Sequence, residues 1–186
     1  MATVIEDAKE ASAWIATALL SSGYAADFSP ASLREIDRFF DEQAPGGVAR
    51  PGGLLSQHLG ARLFAVGAYI GEVIRRARGG EWVADEDDPE AELNIAVRLS
   101  DGSTFWPMQR ALKRFANGPE DGIADYGNGI LSSPEPVRGP VGSPTAVEPR
   151  SRFGGLRAVG LAGAMGFILI VAVWRRRRIM LDRRRR

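Results

Sequence analysis

The sequence predicts an α+β fold, with helices packed on a small antiparallel sheet, followed by a disordered linker and a single C-terminal transmembrane helix. Three observations lead to this fold class: helically spaced apolar residues over much of the chain, one short run of period-two alternation, and an uncharged segment followed by arginines. We therefore divide the chain into a soluble domain at 1–130, a Pro/Gly-rich linker at 131–152, a transmembrane helix at 153–174 and an Arg-rich tail at 175–186.

Charge is distributed unevenly between the two ends of the chain. Residues 1–130 carry 12 Lys+Arg against 20 Asp+Glu, a net charge of −8, whereas residues 131–186 carry 12 against 3, a net charge of +9. An acidic domain argues against a surface that neutralises phosphates, so we expect no nucleic-acid partner. The chain has no cysteine, which excludes disulfides, thiolate metal sites and a cysteine nucleophile.

The first two predicted helices are amphipathic. The capping-box pattern Thr3-x-x-Glu6 predicts a helix over about residues 4–22. Ser29-Pro30 supplies an N-cap and a first-turn proline for a second helix that ends before the loop 46–53. Because this loop lacks the G-x-x-x-x-G-K-[ST] pattern of phosphate-binding loops, we interpret it as a flexible connector.

The third predicted helix, over about residues 54–78, is the most apolar and is expected to lie at the centre of the domain. One of its faces carries Leu59, Leu63, Val66, Ile70 and Val73. A second face carries Gly60, Phe64, Gly67 and Gly71, and each of its three glycines costs about 1 kcal/mol relative to alanine. We expect a neighbouring strand or helix to pack closely against this glycine face; room for a ligand or partner side chain is the alternative.

The sequence of the remaining part of the domain predicts strands followed by helices. Residues 81–83 predict a short strand, and Leu93–Leu99 alternate as a half-buried strand, with a turn and an antiparallel return over 103–106. Pro107 opens a helix with an apolar side at Met108, Leu112 and Phe115 and a basic side at Arg110, Lys113 and Arg114. A last segment over about 119–130 is expected to cover the sheet.

Two short motifs point to a known family. The motif G-x-Y-x-G-E at 67–72 precedes Gly80-Glu81-Trp82, and further matches are Phe28-Ser29-Pro30, Lys113-Arg114 and Asn117-Gly118. Together these residues resemble a bacterial domain of unknown function that is common in actinobacteria. The resemblance covers about residues 10–130 and implies no activity, because such families have no assigned reaction.

Few residues carry recognisable catalytic or metal-binding chemistry. His58 is the only histidine, which excludes a His-rich metal site. The acidic run at 85–90 has Pro89 and Glu90 where an EF-hand needs a ligand and a glycine, so we interpret it as a solvated loop. We therefore expect no metal and no cofactor.

Glu72 and Glu81 are the only candidates for paired carboxylates in acid–base catalysis. They define the alternative function, a carboxylate-dependent or metal-assisted hydrolase. We favour a structural role for Glu72, which lies on an apolar helix and would pair with Arg110, Lys113 or Arg114. On this interpretation the protein is not an enzyme.

The C-terminal part of the chain predicts a membrane anchor. Five prolines and few apolar residues between 132 and 152 indicate a disordered linker. The uncharged run 158–174 reaches roughly 26 Å as a helix, and starting the helix at Phe153 lets it span a bilayer with Trp174 at an interface. Eight arginines would bind anionic headgroups: Arg175, Arg176, Arg177, Arg178, Arg183, Arg184, Arg185 and Arg186.

The orientation of this anchor stays open between two alternatives. Positive-inside bias places the tail in the cytoplasm and the domain outside, whereas the acidic N-terminus carries no export signal and favours a domain that stays inside. We favour the cytoplasmic tail at the cell membrane. The small-xxx-small spacings Gly160-x-x-x-Ala164 and Ala162-x-x-x-Gly166 leave homodimerisation through the transmembrane helix as a further alternative.

Taken together, these patterns predict a single-pass, membrane-anchored, non-catalytic module that binds a protein or peptide. The residues expected to contact the partner come from the glycine face of the third helix and the strand after it: Gly67, Tyr69, Gly71, Glu72 and Trp82.

Overall fold

The computed structural model describes residues 3–133, which belong to the compact unit Met1–Ser133. The predicted linker, transmembrane helix and Arg-rich tail lie outside the described residues. Helices dominate the described part, and three short strands form one antiparallel sheet in the order β1-β2-β3. The predicted α+β class is therefore confirmed for this part of the chain.

The elements follow one another in an order close to the predicted one. The helices and strands are α1 Val4–Ser21, α2 Leu33–Gln43, α3 Leu59–Arg78, β1 Gly80–Val83, α4 Ala91–Asn94, β2 Ala96–Leu99, β3 Thr104–Phe105, α5 Pro107–Asn117 and α6 Ile123–Leu131. Single 3-10 turns lie at Pro30–Ser32, Pro45–Gly47, Leu54–Ser56 and Gly118–Asp121.

Local hydrogen bonds fix the start of α1. The Thr3 side chain accepts from the Glu6 amide at 3.2 Å, and the Glu6 carboxylate accepts from the Thr3 amide at 2.8 Å, so the predicted capping box is present. The Glu86 carboxylate also accepts from the Val4 amide at 3.1 Å. This contact ties the acidic loop to the beginning of α1, whose buried face packs on α3.

Helix α3 forms the centre of the core, and its residues from Ala65 to Ile74 are all buried. It begins at Leu59 and not near residue 54 as predicted. His58 adopts a left-handed conformation with φ 50°, which separates the 3-10 turn Leu54–Ser56 from the helix. The helix ends at Arg78, where Gly79 has φ 71°.

The glycine face of α3 is filled by neighbouring elements, as the close-packing prediction required. A Cβ atom at Gly67 would lie 2.8 Å from Met108 Cα at the start of α5. At Gly71, a Cβ atom would overlap the Trp82 ring of β1 and lie 3.0 Å from Pro107 Cγ. Glycine at both positions therefore lets α5 and β1 approach the α3 backbone directly.

The predicted seven-residue strand over 93–99 was wrong in its first half. Ala91–Asn94 forms the short helix α4, and only Ala96–Leu99 forms β2. The Asp88 carboxylate accepts from the Glu90 amide at 2.8 Å and from the Asn94 side chain at 2.7 Å. These local hydrogen bonds favour a helical turn over the extended conformation that alternation predicts.

Helices α5 and α6 complete the domain. Both begin and end near their predicted positions, but Arg114 is only 3% exposed, so the predicted basic side of α5 is not a solvent face throughout. Helix α6 packs mainly against α2 and α3. Its expected contact with the sheet includes an edge contact between the Tyr126 and Phe105 rings, whose centroids lie 6.4 Å apart.

Candidate functional site

The five residues predicted to bind a partner all lie in the interior of the domain. Tyr69 is fully buried, Glu72 is 6% exposed and Trp82 is 7% exposed, and Gly67 and Gly71 face other side chains. They are brought close together, because α3 and β1 pack against each other. Direct contact of these residues with a partner stays a prediction; in the described structure they are core residues.

Glu72 is held by three side chains from its own helix and from β1. Arg75 donates two hydrogen bonds to its carboxylate at 2.8 Å, Arg76 donates one at 2.8 Å and Trp82 Nε1 donates one at 3.3 Å. Burial raises the pKa of Glu72, but these hydrogen bonds outweigh burial and lower the pKa to about 2. Glu72 is therefore ionised at neutral pH.

The predicted partners of Glu72 on α5 were wrong. Arg110 pairs with Asp121 at 2.9 Å, and Arg114 pairs with Asp37 and Asp41, so neither reaches Glu72. The actual partners lie three and four residues further along α3, where side chains share one helix face. This spacing was visible in the sequence and could have identified them.

Glu81 does not join Glu72 in one site. Neighbouring residues of a strand point to opposite faces, and the buried Trp82 side chain is the one that reaches Glu72. The Glu81 side chain is 69% exposed and lies 3.7 Å from Arg98. The two carboxylates thus have different environments and do not form a pair in the described structure.

Phe28, which the sequence marked only as part of the motif Phe28-Ser29-Pro30, is a neighbour of this cluster. Its φ of 61° is unusual for a bulky residue. The ring lies between Tyr69, at 4.7 Å between centroids, and the Arg76 guanidinium, at 3.9 Å. The Phe28 amide donates to the Tyr69 hydroxyl at 3.1 Å, and these contacts together stabilise the left-handed conformation.

The buried Arg114 and the partly buried Asp37 form a second cluster that joins three helices. Arg114 Nε donates to Asp37 at 2.8 Å, and its Nη2 donates to Asp41 at 2.6 Å. Asp37 also accepts from the backbone amides of Ile123 and Ala124, both at 2.8 Å, which caps the start of α6. The cluster is fully paired, so its geometry indicates structural support for α2, α5 and α6.

Within residues 3–133 the structure contains neither a candidate metal-binding cluster nor a candidate membrane-spanning helix. In this range no group of three or more His, Asp or Glu side chains is placed to hold a metal ion. The acidic loop makes structural contacts instead, through Glu86 with α1 and through Asp88 with α4. None of the helices in the same range combines the length and the apolar character needed to cross a bilayer.

A concave surface in the described residues lies between the end of α2 and the loop that follows it. It has a volume of about 490 Å³. Its apolar lining comes from Pro45, Val48, Ala49 and Pro51, and its charged lining comes from Asp41, Glu42 and Arg50. Val48 is 69% exposed, the largest exposure of any large hydrophobic residue in the described part. We call this surface the α2-loop groove.

The loop that forms this groove is ordered by hydrogen bonds, in contrast to the predicted flexible connector. The Arg50 amide donates to the Gln43 carbonyl at 2.7 Å, and the Leu54 amide donates to the Gln43 side chain at 3.2 Å. Gly47 has φ 76°, and a Cβ atom there would lie 3.1 Å from the Phe115 carbonyl of α5. The groove is therefore preformed on a rigid support.

Comparison with known proteins does not add a function. No family model matches the chain, and neither a curated protein nor a solved structure matches it. The resemblance to an actinobacterial domain stays a prediction from its motifs. Any function must be inferred from the geometry of the described residues and from the sequence of the remainder.

Proposed function

We propose that the protein is a membrane-anchored, non-catalytic binding module whose domain takes a short extended segment of a partner protein in the α2-loop groove. The observation that carries this proposal is the preformed groove with Val48 69% exposed in its lining. A rigid apolar surface binds a ligand without first losing conformational entropy.

The charges around the groove favour a basic partner. Asp41 and Glu42 keep 53% and 51% of their side chains exposed, although each lies near an arginine of the domain. Arg50 is the one cation among the lining residues, so carboxylates outnumber it. The net charge of −8 over residues 1–130 supports the same preference at longer range.

Defined peptides test the groove. Full-length protein is incubated with immobilised short peptides that share an apolar centre and differ only in flanking Arg, Gln or Glu residues. We expect preferential retention of the Arg-flanked peptides. Val48→Asp should weaken their binding by about tenfold or more, because burying a valine side chain contributes roughly 1.5 to 3 kcal/mol.

Glu81→Gln is the matched control, since Glu81 is exposed on β1 and does not line the groove. It should leave peptide binding unchanged. Equal retention of the Arg- and Glu-flanked peptides, or unchanged binding by the Val48→Asp variant, would contradict the proposal.

The anchor of this module is assigned to the sequence segment 153–174, with the arginines after it held by anionic headgroups. Full-length protein should stay with the membrane fraction after a high-pH wash, whereas deletion of 153–186 should release the domain. Recovery of the full-length protein in the supernatant would refute the anchor. Protease access to an N-terminal reporter in intact cells then decides between the two orientations.

A further inference from the structure

The outer face of α1 carries an aromatic and cationic pair that the proposed function does not use. Trp14 is 46% exposed and Leu20 is 55% exposed, and both lie on the side of α1 that points away from the core. The Arg62 guanidinium lies 4.1 Å from the centre of the Trp14 ring. This arrangement leaves the Trp14 ring and a cation together at the surface.

Arg62 lacks an acidic partner within residues 3–133. Its Nη1 atom is shielded from solvent and has no hydrogen-bond acceptor there. Burial lowers the pKa of Arg62, and no carboxylate of the described domain offsets that effect. A shielded guanidinium without a partner costs free energy that a carboxylate supplied from outside would recover.

The same helix face carries such a carboxylate. Glu10 lies one helical turn before Trp14, and its side chain is exposed. The outer surface therefore presents the Glu10 carboxylate and the exposed Trp14 ring of α1 beside the Arg62 guanidinium, which belongs to α3. A surface with both members of an ion pair can be complementary to a second copy of itself.

We infer that the outer face of α1 is an interface between two copies of this chain, packed antiparallel around a two-fold axis. α1 runs from Val4 to Ser21. In an antiparallel pair with full overlap, residue 4 of one copy therefore lies level with residue 21 of the other, and residue n lies level with residue 25 − n. Glu10 of one copy then lies level with the buried Ile15 of the other, within one residue of the exposed Trp14 and its neighbour Arg62. Leu20 lies level with Ile5, which is partly buried against the core.

The size of this interface sets the expected strength. An 18-residue helix is roughly 27 Å long, and a single pair of such helices falls below the roughly 1,200 Å² at which stable interfaces begin. The net negative charge of each domain opposes association, but salt screens it beyond about 8 Å under physiological conditions. The contact is therefore expected to be a weak one.

Cross-linking of the full-length chain tests the interface, and the natural absence of cysteine makes each introduced thiol unique. Ala13 is exposed and lies next to the middle of α1, so the Ala13→Cys variant should form a disulfide-linked dimer under mild oxidation. The control is Glu81→Cys, an exposed position on β1. We expect dimer formation at least tenfold faster for Ala13→Cys than for the control.

Charge reversal distinguishes this contact from other causes of dimerisation. In the Ala13→Cys background, Glu10→Arg and Arg62→Glu should each slow cross-linking several-fold, and the double reversal should restore it. A cross-linking rate that these substitutions leave unchanged would overturn the proposal. That result is expected if the dimer is held only by the predicted transmembrane helix. A double reversal no faster than the single ones, or an Arg62-dependent cross-link only to a different protein, would also overturn the proposal.

Discussion

Replacement of Glu72 by glutamine should destabilise the domain by an amount that depends on pH. The substitution keeps the shape of the side chain but removes the charge that Arg75, Arg76 and Trp82 surround. A fall in pKa from 4.5 to about 2 corresponds to roughly 3 kcal/mol of stability. Because both arginines are partly exposed, screening reduces the expected loss to about 2 kcal/mol at pH 7.

The sign of the pH dependence follows from the lowered pKa of Glu72. A carboxylate whose pKa is lower in the folded state contributes its full stability above its unfolded pKa of about 4.5. That contribution is lost as the pH falls from about 4.5 to about 2, where the folded protein also takes up the proton. The difference between wild type and Glu72→Gln should therefore shrink over this range and be nearly gone at pH 2.

Urea unfolding of the full-length chain, followed by circular dichroism at pH 7, 4 and 3, measures this difference. Glu81→Gln is the matched control, because Glu81 is 69% exposed and its ion pair with Arg98 spans 3.7 Å. We expect less than about 0.5 kcal/mol for the control at every pH. Equal effects of the two substitutions at pH 7, or a Glu72→Gln effect unchanged at pH 3, would refute the electrostatic explanation.

Two further predictions concern the packing of the core. Gly71→Ala should lower the free energy of unfolding by about 1 to 3 kcal/mol, because its methyl group would overlap Trp82, whereas Gly129→Ala on α6 meets open space and should stabilise by about 0.5 to 1 kcal/mol. Arg114→Met should cost about 1 to 2 kcal/mol, because it leaves the partly buried Asp37 without its cation, while the 53% exposed Asp41 is screened by solvent; the exposed Lys113→Met should cost less than about 0.5 kcal/mol. Thermal unfolding of each pair measures both differences. A Gly71→Ala variant no less stable than Gly129→Ala, or equal effects at positions 113 and 114, would contradict the packing described.

Much of the α+β architecture could be predicted, because its signals are local. The capping box of α1, the proline in the first turn of α5 and the glycine after α5 fix helix ends through a few neighbouring residues. The strand predicted over 93–99 was wrong because side-chain hydrogen bonds from Asp88, several residues away, favoured helix α4. Alternation records only which residues are apolar and contains no information about such bonds.

The candidate site depended more strongly on distant contacts. The arginines that hold Glu72 are encoded by helical spacing and could have been found, but the expected pairing with α5 required knowing how two helices face each other. The α2-loop groove had no sequence signal of its own. Its loop resembles a flexible connector until Gln43 and the α5 carbonyls are brought against it.

By itself, the sequence determined where α1 and α5 form, where α3 ends and which helix faces are apolar, because helical periodicity and caps act over single turns. It also separated an acidic domain from a basic C-terminal region, since charge is a property of composition. Only the tertiary structure decided that the glycine face is filled by Met108 and Trp82, and that Arg62 stacks on Trp14 without a carboxylate in the described domain. Both outcomes depend on the distance between segments that are far apart in the chain. That distance is set by how the helices pack together, and no single helix contains the information that sets it.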